Sequence, residues 1–553
     1  MVSQDKSSEI EAGGWRGIHR FEAVDWQFFA VLLLGGIFRF AFIEGDLPQV
    51  YDRDEPIFVD HAVSMLRNLD PNPHWFGAPA GTTIYLLCLA FLILFACGHL
   101  LGRFDSLQTF VALYQTDPTL FYLSGRIITA LFAIGSIALV FLLGRRLISA
   151  RAGVLAAAIV AITPSHIEMS RLVRMDVPMG FFMLAGFWYC LNILEYRAFK
   201  DYLLAGVFTG LGVVSKYPAI VFALVVILAH ALVEKHRKFH RLVSAGISSI
   251  AAAFLASPFL FLDFKQTLSD VAFEARPTEL GGTGAGLLNN LGWYLFRSTP
   301  RAISYAGLVL VFAYFIFCWR SLNKKILLLT ALPVFFMIFI SSLSLRWDRW
   351  ILPMIPFFAL LVALAESRLN SHLNSWMSDR FTNKSRLLVT SFCLSVIYLP
   401  LLVTSVKQMR EMARPHTWTI GRQWILQNLP QGSRVFIEVT APHLPSGSFQ
   451  FFQVADNGTI VEEKRENRDP GSDFRPSGEF GSLKNIEELR SKKIEYFVVG
   501  DRYKRYLIER EKYPQIVATY QAIIAEGELL WEIDRVPGKS RGTNLQVYRV
   551  RGQ

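Results

Sequence analysis

The chain has 553 residues, of which 52% are hydrophobic, and its mean hydropathy is +0.34. A soluble domain is about 45–50% apolar even when glycine is counted, so this composition excludes an ordinary soluble multidomain protein. The formal net charge of +11 does not indicate a nucleic-acid partner, because the basic residues concentrate in short loops between apolar stretches.

The first 24 residues are polar and of mixed charge, without a basic stretch that leads to a small-residue cleavage site. This pattern is not typical of a signal peptide, so we expect residues 1–25 to be a cytoplasmic segment and the first apolar span to be an uncleaved anchor. All five cysteines lie inside apolar stretches. Disulfides and thiolate metal sites are therefore not expected.

Apolar stretches nearly free of charge recur from residue 26 to residue 405, most of them close to the roughly 20 residues that cross a bilayer as an α-helix. Cytoplasmic loops are enriched in lysine and arginine, so the basic loops set the orientation. The residues predicted to face the cytoplasm are Arg145, Arg146, Arg151, Arg197, Lys200, Lys235, Arg237, Lys238, Arg241, Arg320, Lys324, Lys325, Arg368, Arg380, Lys384 and Arg386. The predicted crossings are 26–44, 121–143, 152–168, 177–196, 202–216, 217–234, 242–261, 302–319, 326–344, 349–366 and 387–405.

These assignments predict a polytopic α-helical membrane protein whose transmembrane domain covers residues 26–405, with its N-terminus inside. The apolar stretch 82–101 is also long enough to cross, but a crossing there would break the alternation of basic loops. We therefore predict a re-entrant or interface-lying helix within a long external loop of residues 45–120. A twelfth span with an external N-terminus is the alternative.

The external loop opens with two acids, Asp54 and Glu55, directly before Pro56. The pattern that follows predicts a helix from Pro56 to Asn68 that lies along the membrane surface. Acids at this position complement a helix start, so capping is one interpretation. A catalytic role is the other, because these carboxylates would lie where the first span leaves the membrane.

A further acid, Asp176, lies between two apolar spans at the external end of the third crossing. An ionisable residue at such a position is costly and is a functional candidate. A helix cap, or an ion pair with Arg171 or Arg174, is the structural alternative. Two acids that converge on the external face suit glycosyl transfer, in which one carboxylate takes the proton of an acceptor hydroxyl and another positions a substrate.

Three cations lie in other external turns: Lys216 between two spans, and Arg346 and Arg349 in a short turn before the tenth crossing. At the outer membrane boundary they are suited to bind a phosphate and to stabilise the charge of a leaving group. The structural alternative is that each side chain extends its charged end from an apolar surface to water.

Other chemical signals are weak. Asp52 and Asp54 form a D-x-D pair, but so short a pattern is common by chance, and the histidines lack the spacing of metal ligands. The chain has no P-loop, no dinucleotide fingerprint, no G-x-S-x-G motif and no nucleic-acid motif. We expect no metal, no organic cofactor and no nucleic-acid partner.

Residues 406–553 form a tail of different character, in which β-rich runs alternate with helical stretches. The strongest runs are Arg434–Val439, Tyr496–Val499 and Leu545–Val550, and the helical stretches include 484–492 and 501–511. This pattern predicts a small external α/β domain. Residues 440–480 are rich in Gly, Pro, Ser and Asn and are predicted to be an irregular loop.

The order of these features resembles the GT-C glycosyltransferases of the protein O-mannosyltransferase and aminoarabinose transferase type, glycosyltransferase family 39 and its bacterial relatives. The resemblance covers about residues 25–440. The similar motifs are Asp54-Glu55, Asn72-Pro73-His74-Trp75-Phe76, Ser124-Gly125-Arg126, Leu143-Gly144-Arg145-Arg146-Leu147, Ser170-Arg171 with Asp176, Lys216-Tyr217-Pro218, Arg349-Trp350-Ile351-Leu352-Pro353 and Trp424-Ile425 to Ser433.

The resemblance implies an inverting transfer of a sugar from a polyprenyl-phosphate-linked donor to an acceptor hydroxyl of a lipid, glycan or protein, at the outer face of the inner (plasma) membrane. It also implies that Asp54 is the base or its closest partner and that Asp176 is a second carboxylate of the active site. Lys216 and Arg349 would face the lipid phosphate. Glu55 and Arg346 accompany them as the other catalytic and phosphate-binding candidates.

The chain departs from the family pattern in two places. Ala78-Pro79 stands where many relatives carry a lysine-proline pair, and segment 102–120 is longer than usual. Both departures concern the acceptor more than the reaction.

Two functions from other classes remain open. One is a transporter or a flippase of lipid-linked sugars, although transporters usually place ionisable residues at midplane helix breaks in repeated halves. The other is a non-catalytic envelope assembly protein whose external domain binds a partner.

Overall fold

A computed structural model describes residues 23–233, 238–318, 320, 322–377, 382–463 and 473–552. Most of the predicted segment 1–25, the basic residues Lys235, Arg237 and Arg380, and part of the predicted loop 440–480 lie outside the described residues. The described part is a bundle of α-helices followed by a smaller domain that is built on a mixed sheet.

The bundle consists mostly of long apolar helices. Its α-helices are α1 (Ala23–Phe40), α2 (Glu55–Asn68), α3 (Gly81–Leu100), α4 (Leu107–Thr116), α5 (Thr119–Leu147), α6 (Ala150–Ile162), α7 (Pro164–Ser170), α8 (Asp176–Tyr196), α9 (Phe199–Ser215), α10 (Phe222–Val233), α11 (Phe239–Ala256), α12 (Phe259–Leu262), α13 (Phe264–Glu274), α14 (Leu287–Trp293), α15 (Thr299–Cys318), α16 (Lys324–Ser342), α17 (Ile355–Met377) and α18 (Asn383–Met412). Short 3₁₀ segments at Tyr217–Val221 and Asp348–Met354, and a π-turn at Tyr294–Ser298, join some of them.

Within the described ranges, nine helices are long and apolar enough to cross a membrane, or ten if α6 and α7 form one bent span. The prediction of a polytopic helical membrane protein is confirmed, although eleven crossings were expected. Helical segments occupy all eleven predicted positions, but α9 and the segment Tyr217–Val233 have only 17 residues each. That length is slightly below the roughly 20 residues that a straight span needs.

Helix α3 corresponds to the predicted interface-lying stretch 82–101. Its first turn meets the end of α9, where the hydroxyl of Thr82 lies 2.6 Å from that of Ser215. Its middle packs on the first turns of α5, where the rings of Phe91 and Phe121 are 5.0 Å apart. The segment that follows leads through α4 back to the start of α5. Both ends of α3 therefore lie near the same end of the bundle, and α3 is also one of the nine helices long and apolar enough to cross a membrane.

A break between α6 and α7 turns the chain by 63°. Pro164 has no N–H to continue the helix, and the buried guanidinium of Arg39 donates to the free carbonyls of Val160 and Ala161 at 3.0 and 3.1 Å. The hydroxyl of Thr163 bonds the carbonyl of Ala302 at 2.9 Å. These contacts fix the bend that precedes the turn of residues 171–175.

The basic loops predicted to be cytoplasmic meet at the other end of the bundle. Glu195, at the end of α8, accepts hydrogen bonds from Arg146 and Lys325, both at 2.6 Å. The guanidinium of Arg146 also lies 4.6 Å from the centre of the Trp188 ring. Loops that are far apart in the sequence thus share one face, as the charge pattern predicted.

The C-terminal domain contains helices and a six-stranded sheet of strand order β4-β3-β1-β6-β8-β7. Strand β1 pairs in parallel with β3 and β6, while the outer pairs are antiparallel. Its elements are α19 (Thr417–Asn428), β1 (Arg434–Ile437), β2 (Leu444–Pro445), β3 (Gln450–Val454), β4 (Ile460–Glu462), β5 (Asp473–Phe474), α20 (Glu488–Ser491), β6 (Tyr496–Val499), α21 (Arg502–Ile508), α22 (Pro514–Ala525), β7 (Gly527–Ile533) and β8 (Leu545–Val550).

The predicted α/β domain and its three strongest strands are confirmed. The prediction that 440–480 is irregular is wrong in part, because the short strands β2 to β5 lie within it and β3 buries Phe451, Phe452 and Val454. The strands were not predicted because they are only two to five residues long and lie between Gly, Pro, Ser and Asn residues that are typical of turns. The predicted domain start at residue 406 falls inside α18, which continues to Met412.

Candidate active site

The loop between α1 and α2 places two aspartates against one arginine of the turn before α8. The guanidinium of Arg174, which is buried, donates to both carboxylate oxygens of Asp52 at 2.9 and 2.7 Å. It also forms an ion pair with Asp54. Because a guanidinium presents a planar fork of donors, this contact fixes both acids in place.

Asp52, rather than Asp54 or Glu55, provides the hydrogen bonds at the start of α2. Its Oδ1 accepts from the backbone N–H groups of Asp54 and Glu55 at 3.0 and 3.1 Å. Asp54 makes no side-chain capping bond. The capping interpretation therefore applies to Asp52, and the carboxylate of Asp54 is left for ion pairs.

Asp54 contacts a second cation from a distant turn. The guanidinium of Arg349, in the 3₁₀ segment before α17, lies 2.9 Å from Oδ2 of Asp54. Burial alone would raise the pKa of the Asp54 carboxyl, but the charges of Arg174 and Arg349 outweigh it and hold that pKa below its ordinary value. Asp54 is thus an ionised carboxylate at neutral pH.

Glu55 is placed apart from this group. It is 0% exposed and forms a fork with Arg126 of α5, with distances of 2.8 and 2.7 Å. Its Oε1 also accepts the backbone N–H of Val173 at 2.9 Å. Glu55 therefore ties α2 to α5 and to the turn that carries Arg174.

Asp176 pairs with Lys216, not with Arg171 or Arg174. The ammonium of Lys216 lies 2.6 Å from Oδ1 of Asp176, which is the first residue of α8 and is 1% exposed. Lys216 lies between α9 and the 3₁₀ segment Tyr217–Val221, where Pro218 prevents the helix from continuing. This break between the two helices places the side chain of Lys216 in a cavity that Asp54 also lines.

A cavity of about 780 Å³ joins these groups. Asp54, Arg174, Lys216 and Arg349 line its bundle side, whereas Asp176 and Arg346 do not line it. Arg346 instead stacks its guanidinium 5.3 Å from the centre of the Trp293 ring. The lining also includes Ala78.

The C-terminal domain covers the cavity and contributes to its wall. The hydroxyl of Tyr51, in the loop before α2, lies 2.9 Å from that of Thr419 in α19. Arg541 forms an ion pair with Asp46 of the same loop, and the N–H of Gly281 donates to Glu509 at 3.2 Å. On the side of the C-terminal domain the lining residues include Thr440, Asp501, Arg502 and Arg505.

The sequence did not predict that Arg174 pairs with both Asp52 and Asp54, nor that Asp52 belongs to the site. In the sequence, Arg174 is a candidate partner only of Asp176, because no local signal links it to Asp52, 122 positions earlier. The sequence carries no signal that assigns Arg502 or Arg505 to the cavity, because they follow an ordinary strand in the tail. Among the described residues, no group of three or more His, Cys, Asp or Glu is arranged to hold a metal ion.

The site can bind an anion between two cations and hold a carboxylate beside it. Lys216 has three donors, of which Asp176 takes one, so the others are available to a ligand in the cavity. Arg349 presents a planar fork suited to phosphate. A carboxylate that accepts a proton, next to cations that stabilise a leaving anion, is the arrangement required for displacement of a phosphate.

The family model of dolichyl-phosphate-mannose-protein mannosyltransferases matches residues 122–261. Two solved structures resemble the whole chain. The archaeal oligosaccharyltransferase AglB from Archaeoglobus fulgidus, in complex with an inhibitory peptide and a dolichol-phosphate, is 14% identical with a TM-score of 0.50, covering 92% of this chain and 72% of that one. ArnT from Cupriavidus metallidurans, bound to undecaprenyl phosphate, is 12% identical with a TM-score of 0.53, covering 96% of this chain and 99% of that one.

The comparison with curated proteins gave no match. At 12–14% identity, the likeness to the two solved structures shows the fold. The chain is a multi-pass membrane protein with the GT-C fold, and the resemblance to GT-C glycosyltransferases is confirmed. The matched family segment contains Arg126, Arg174, Asp176 and Lys216, which are four of the residues that build the site.

Proposed function

We propose that this protein transfers a sugar from a polyprenyl-phosphate-linked donor to an acceptor hydroxyl at the outer face of the inner (plasma) membrane, with inversion. The observation that carries the proposal is that the Asp54 carboxylate and the cations Lys216 and Arg349 line one cavity. The donors named for the similar proteins support it, since AglB was solved with a dolichol-phosphate and ArnT with undecaprenyl phosphate.

The donor phosphate binds between Lys216 and Arg349. Asp176 is buried and accepts one hydrogen bond of the Lys216 ammonium at 2.6 Å, which holds the ammonium in position. As the bond between the sugar and the phosphate lengthens, negative charge develops on the leaving oxygen, and the two cations stabilise it. Asp176 therefore acts as a positioning residue through Lys216.

Asp54 accepts the proton of the acceptor hydroxyl. The acceptor oxygen forms its bond to the anomeric carbon on the face opposite the phosphate, the carbon–oxygen bond to the phosphate breaks, and polyprenyl phosphate leaves. This single displacement inverts the anomeric centre. A base works best when its pKa lies near the working pH. A donor phosphate that draws Arg349 away from Asp54 raises the pKa of that carboxyl and makes it a better base.

The layout of charges supports an external active site. On the bundle side, the acids and cations of the cavity come from residues 52–54, 174, 216, 274–279 and 349, all predicted to be external. The predicted cytoplasmic residues Arg146 and Lys325 instead meet at Glu195. In this topology the C-terminal domain is external, or periplasmic in a bacterium with two membranes. The acceptor is a lipid, glycan or protein that enters between the two domains.

Release of polyprenyl phosphate tests the proposal whichever molecule is the acceptor. The purified full-length protein is reconstituted with a panel of polyprenyl-phosphate sugars and a membrane extract as the source of acceptor. We expect one donor to be consumed, with polyprenyl phosphate and a glycosylated product formed in equal amounts. A protein that moves the lipid-linked sugar across the bilayer without cleaving it would instead be a flippase, and one that does neither would be a binding protein.

A further inference from the structure

Three arginines come together where the C-terminal domain closes the cavity. Arg53 belongs to the loop before α2, while Arg502 and Arg505 belong to α21, and all three line the cavity. Burial lowers the pKa of the Arg53 guanidinium, and the nearby charges of Arg502 and Arg505 lower it further, whereas Asp501 and Glu438 oppose the shift. Three like charges in one wall repel each other unless anions lie between them.

Two of the three arginines already have acid partners. Arg502 lies 3.2 Å from Glu479, and Arg505 lies 2.7 Å from Asp501. Arg53 is different, because within the described ranges no carboxylate pairs with it, although its sequence neighbours Asp52 and Asp54 are acids. Both neighbours are held by Arg174 on the bundle side, so the guanidinium of Arg53 is left to the cavity.

Buried hydrogen bonds in the C-terminal domain fix the backbone that precedes Arg502. The Glu438 carboxylate that follows β1 is buried and accepts the N–H of Gly500 at 2.8 Å and the hydroxyl of Thr440 at 2.9 Å. A side chain at Gly500 would have its Cβ 2.1 Å from the carbonyl oxygen of Thr440, so only glycine fits there. The strand-to-helix junction before Arg502 is thus locked to the neighbouring strand.

We infer that Arg53, Arg502 and Arg505 bind an anionic group, a phosphate or a carboxylate, that is carried by the acceptor. The inference rests on the proposed transfer reaction and adds the chemical class of its second substrate. Guanidinium groups suit both anions because their donors form a planar fork. Among the described residues no carboxylate forms a direct ion pair with Arg53, and its charge interacts with Asp501 and Glu438 only at longer range.

The position of Arg53 distinguishes this anion from the donor phosphate. Lys216 and Arg349 belong to the bundle side of the cavity, whereas Arg53 faces α21 of the C-terminal domain. Arg53 is also the residue directly before Asp54. An acceptor anchored by Arg53 therefore presents a nearby hydroxyl to the Asp54 carboxylate, which the proposed reaction requires.

Binding to the purified full-length protein tests the inference with defined probes. Glucose 6-phosphate and glucuronate represent soluble acceptors, dihexanoyl phosphatidic acid represents a lipid headgroup, glucose is the neutral control, and farnesyl phosphate probes the donor site. We expect at least one of the three anionic acceptor probes to bind more tightly than glucose. The affinity for that probe should fall at least fivefold in Arg53→Gln and in Arg502→Gln. The affinity for farnesyl phosphate should not change in either variant.

The matched control is Arg510→Gln, which changes an exposed arginine of the same region that does not line the cavity. Since Arg53 loses no ion pair, Arg53→Gln should leave the thermal midpoint unchanged or raise it, so a loss of binding is not a loss of folding. Equal binding of the probes by Arg53→Gln and the wild type, or no binding by the wild type, would overturn the inference. If the acceptor probes failed in this way but Lys216→Met still weakened the binding of farnesyl phosphate, the proposed donor site and transfer reaction would stand without the inference.

Discussion

The ammonium of Lys216 and the carboxylate of Asp176 form a buried ion pair at 2.6 Å, and the two residues lie 40 positions apart in the chain. The carboxylate is almost completely buried, while the lysine also lines the cavity. This geometry assigns different tasks to the two residues. In the proposed reaction, Asp176 holds the ammonium charge in place, and Lys216 presents it to the donor phosphate.

Variants of this pair separate structure from catalysis. Lys216→Met leaves the Asp176 carboxylate buried without a partner, which should lower the free energy of unfolding by about 3–5 kcal/mol. The double variant Lys216→Met with Asp176→Asn removes both charges and should recover most of that stability without recovering transfer. Thermal midpoints in detergent and transfer rates on the same preparations measure both effects. Recovery of transfer in the double variant would make the pair purely structural.

Arg349→Gln should lower turnover more than tenfold, because a cation that stabilises a leaving phosphate contributes about 2–4 kcal/mol to the transition state. The matched control is Arg301→Gln, which breaks an exposed ion pair with Asp348 in the neighbouring turn. We expect the control to keep wild-type turnover. Full activity of Arg349→Gln would mean that Arg349 does not stabilise the leaving phosphate and that its charged end is only solvated at the membrane boundary.

The same variant should change the pH dependence. In the wild type, Arg174 and Arg349 hold the pKa of Asp54 below its ordinary value, so the carboxylate form persists as the pH falls below the usual aspartate value of about 3.9. Stability and activity that need this carboxylate are lost only as the pH falls through the lowered pKa. Removing Arg349 raises that pKa in the free enzyme, so the acidic limb of the pH profile of kcat/KM should move to higher pH. An unmoved limb would exclude Asp54 as the titrating group.

Glu55→Gln should act on stability rather than on chemistry. The variant leaves Arg126 without the buried carboxylate that it now contacts at 2.7 Å, and loss of one partner of a buried pair costs about 3–5 kcal/mol. Transfer per folded molecule should be retained. A variant with an unchanged thermal midpoint and a collapsed rate would instead return Glu55 to the catalytic group, as the sequence suggested.

The sequence predicted the elements whose signals are local. A charged side chain at the end of an apolar span costs free energy to place near the membrane, which made four residues candidates. They are Asp54, Asp176, Lys216 and Arg349, and each lies at or beside the cavity. Their partners could not be predicted, because Arg174 reaches back 122 positions to Asp52. Helical segments occupy all eleven predicted positions, but the continuous apolar stretch around Lys216 divides into two segments of 17 residues each, which are shorter than the helices long enough to cross.

Labelling of single cysteines in intact cells tests the orientation. In a background that lacks the five native cysteines, Lys539→Cys in the C-terminal domain should react with an impermeant maleimide. Lys238→Cys, in a loop predicted to be cytoplasmic, should react only after permeabilisation. Both positions are exposed, so access to the reagent depends on the side of the membrane. The reverse pattern would place the cavity in the cytoplasm.

The most direct test of the central claim is the rate of sugar transfer by Asp54→Asn. Arg174 keeps its two bonds to Asp52 in this variant, so the fold and the binding of farnesyl phosphate should be retained. Loss of a general base lowers the rate by about 10²–10⁴. We therefore predict a folded protein that binds the donor phosphate and barely transfers the sugar. An Asp54→Asn protein with wild-type transfer would contradict the account and remove Asp54 as the base.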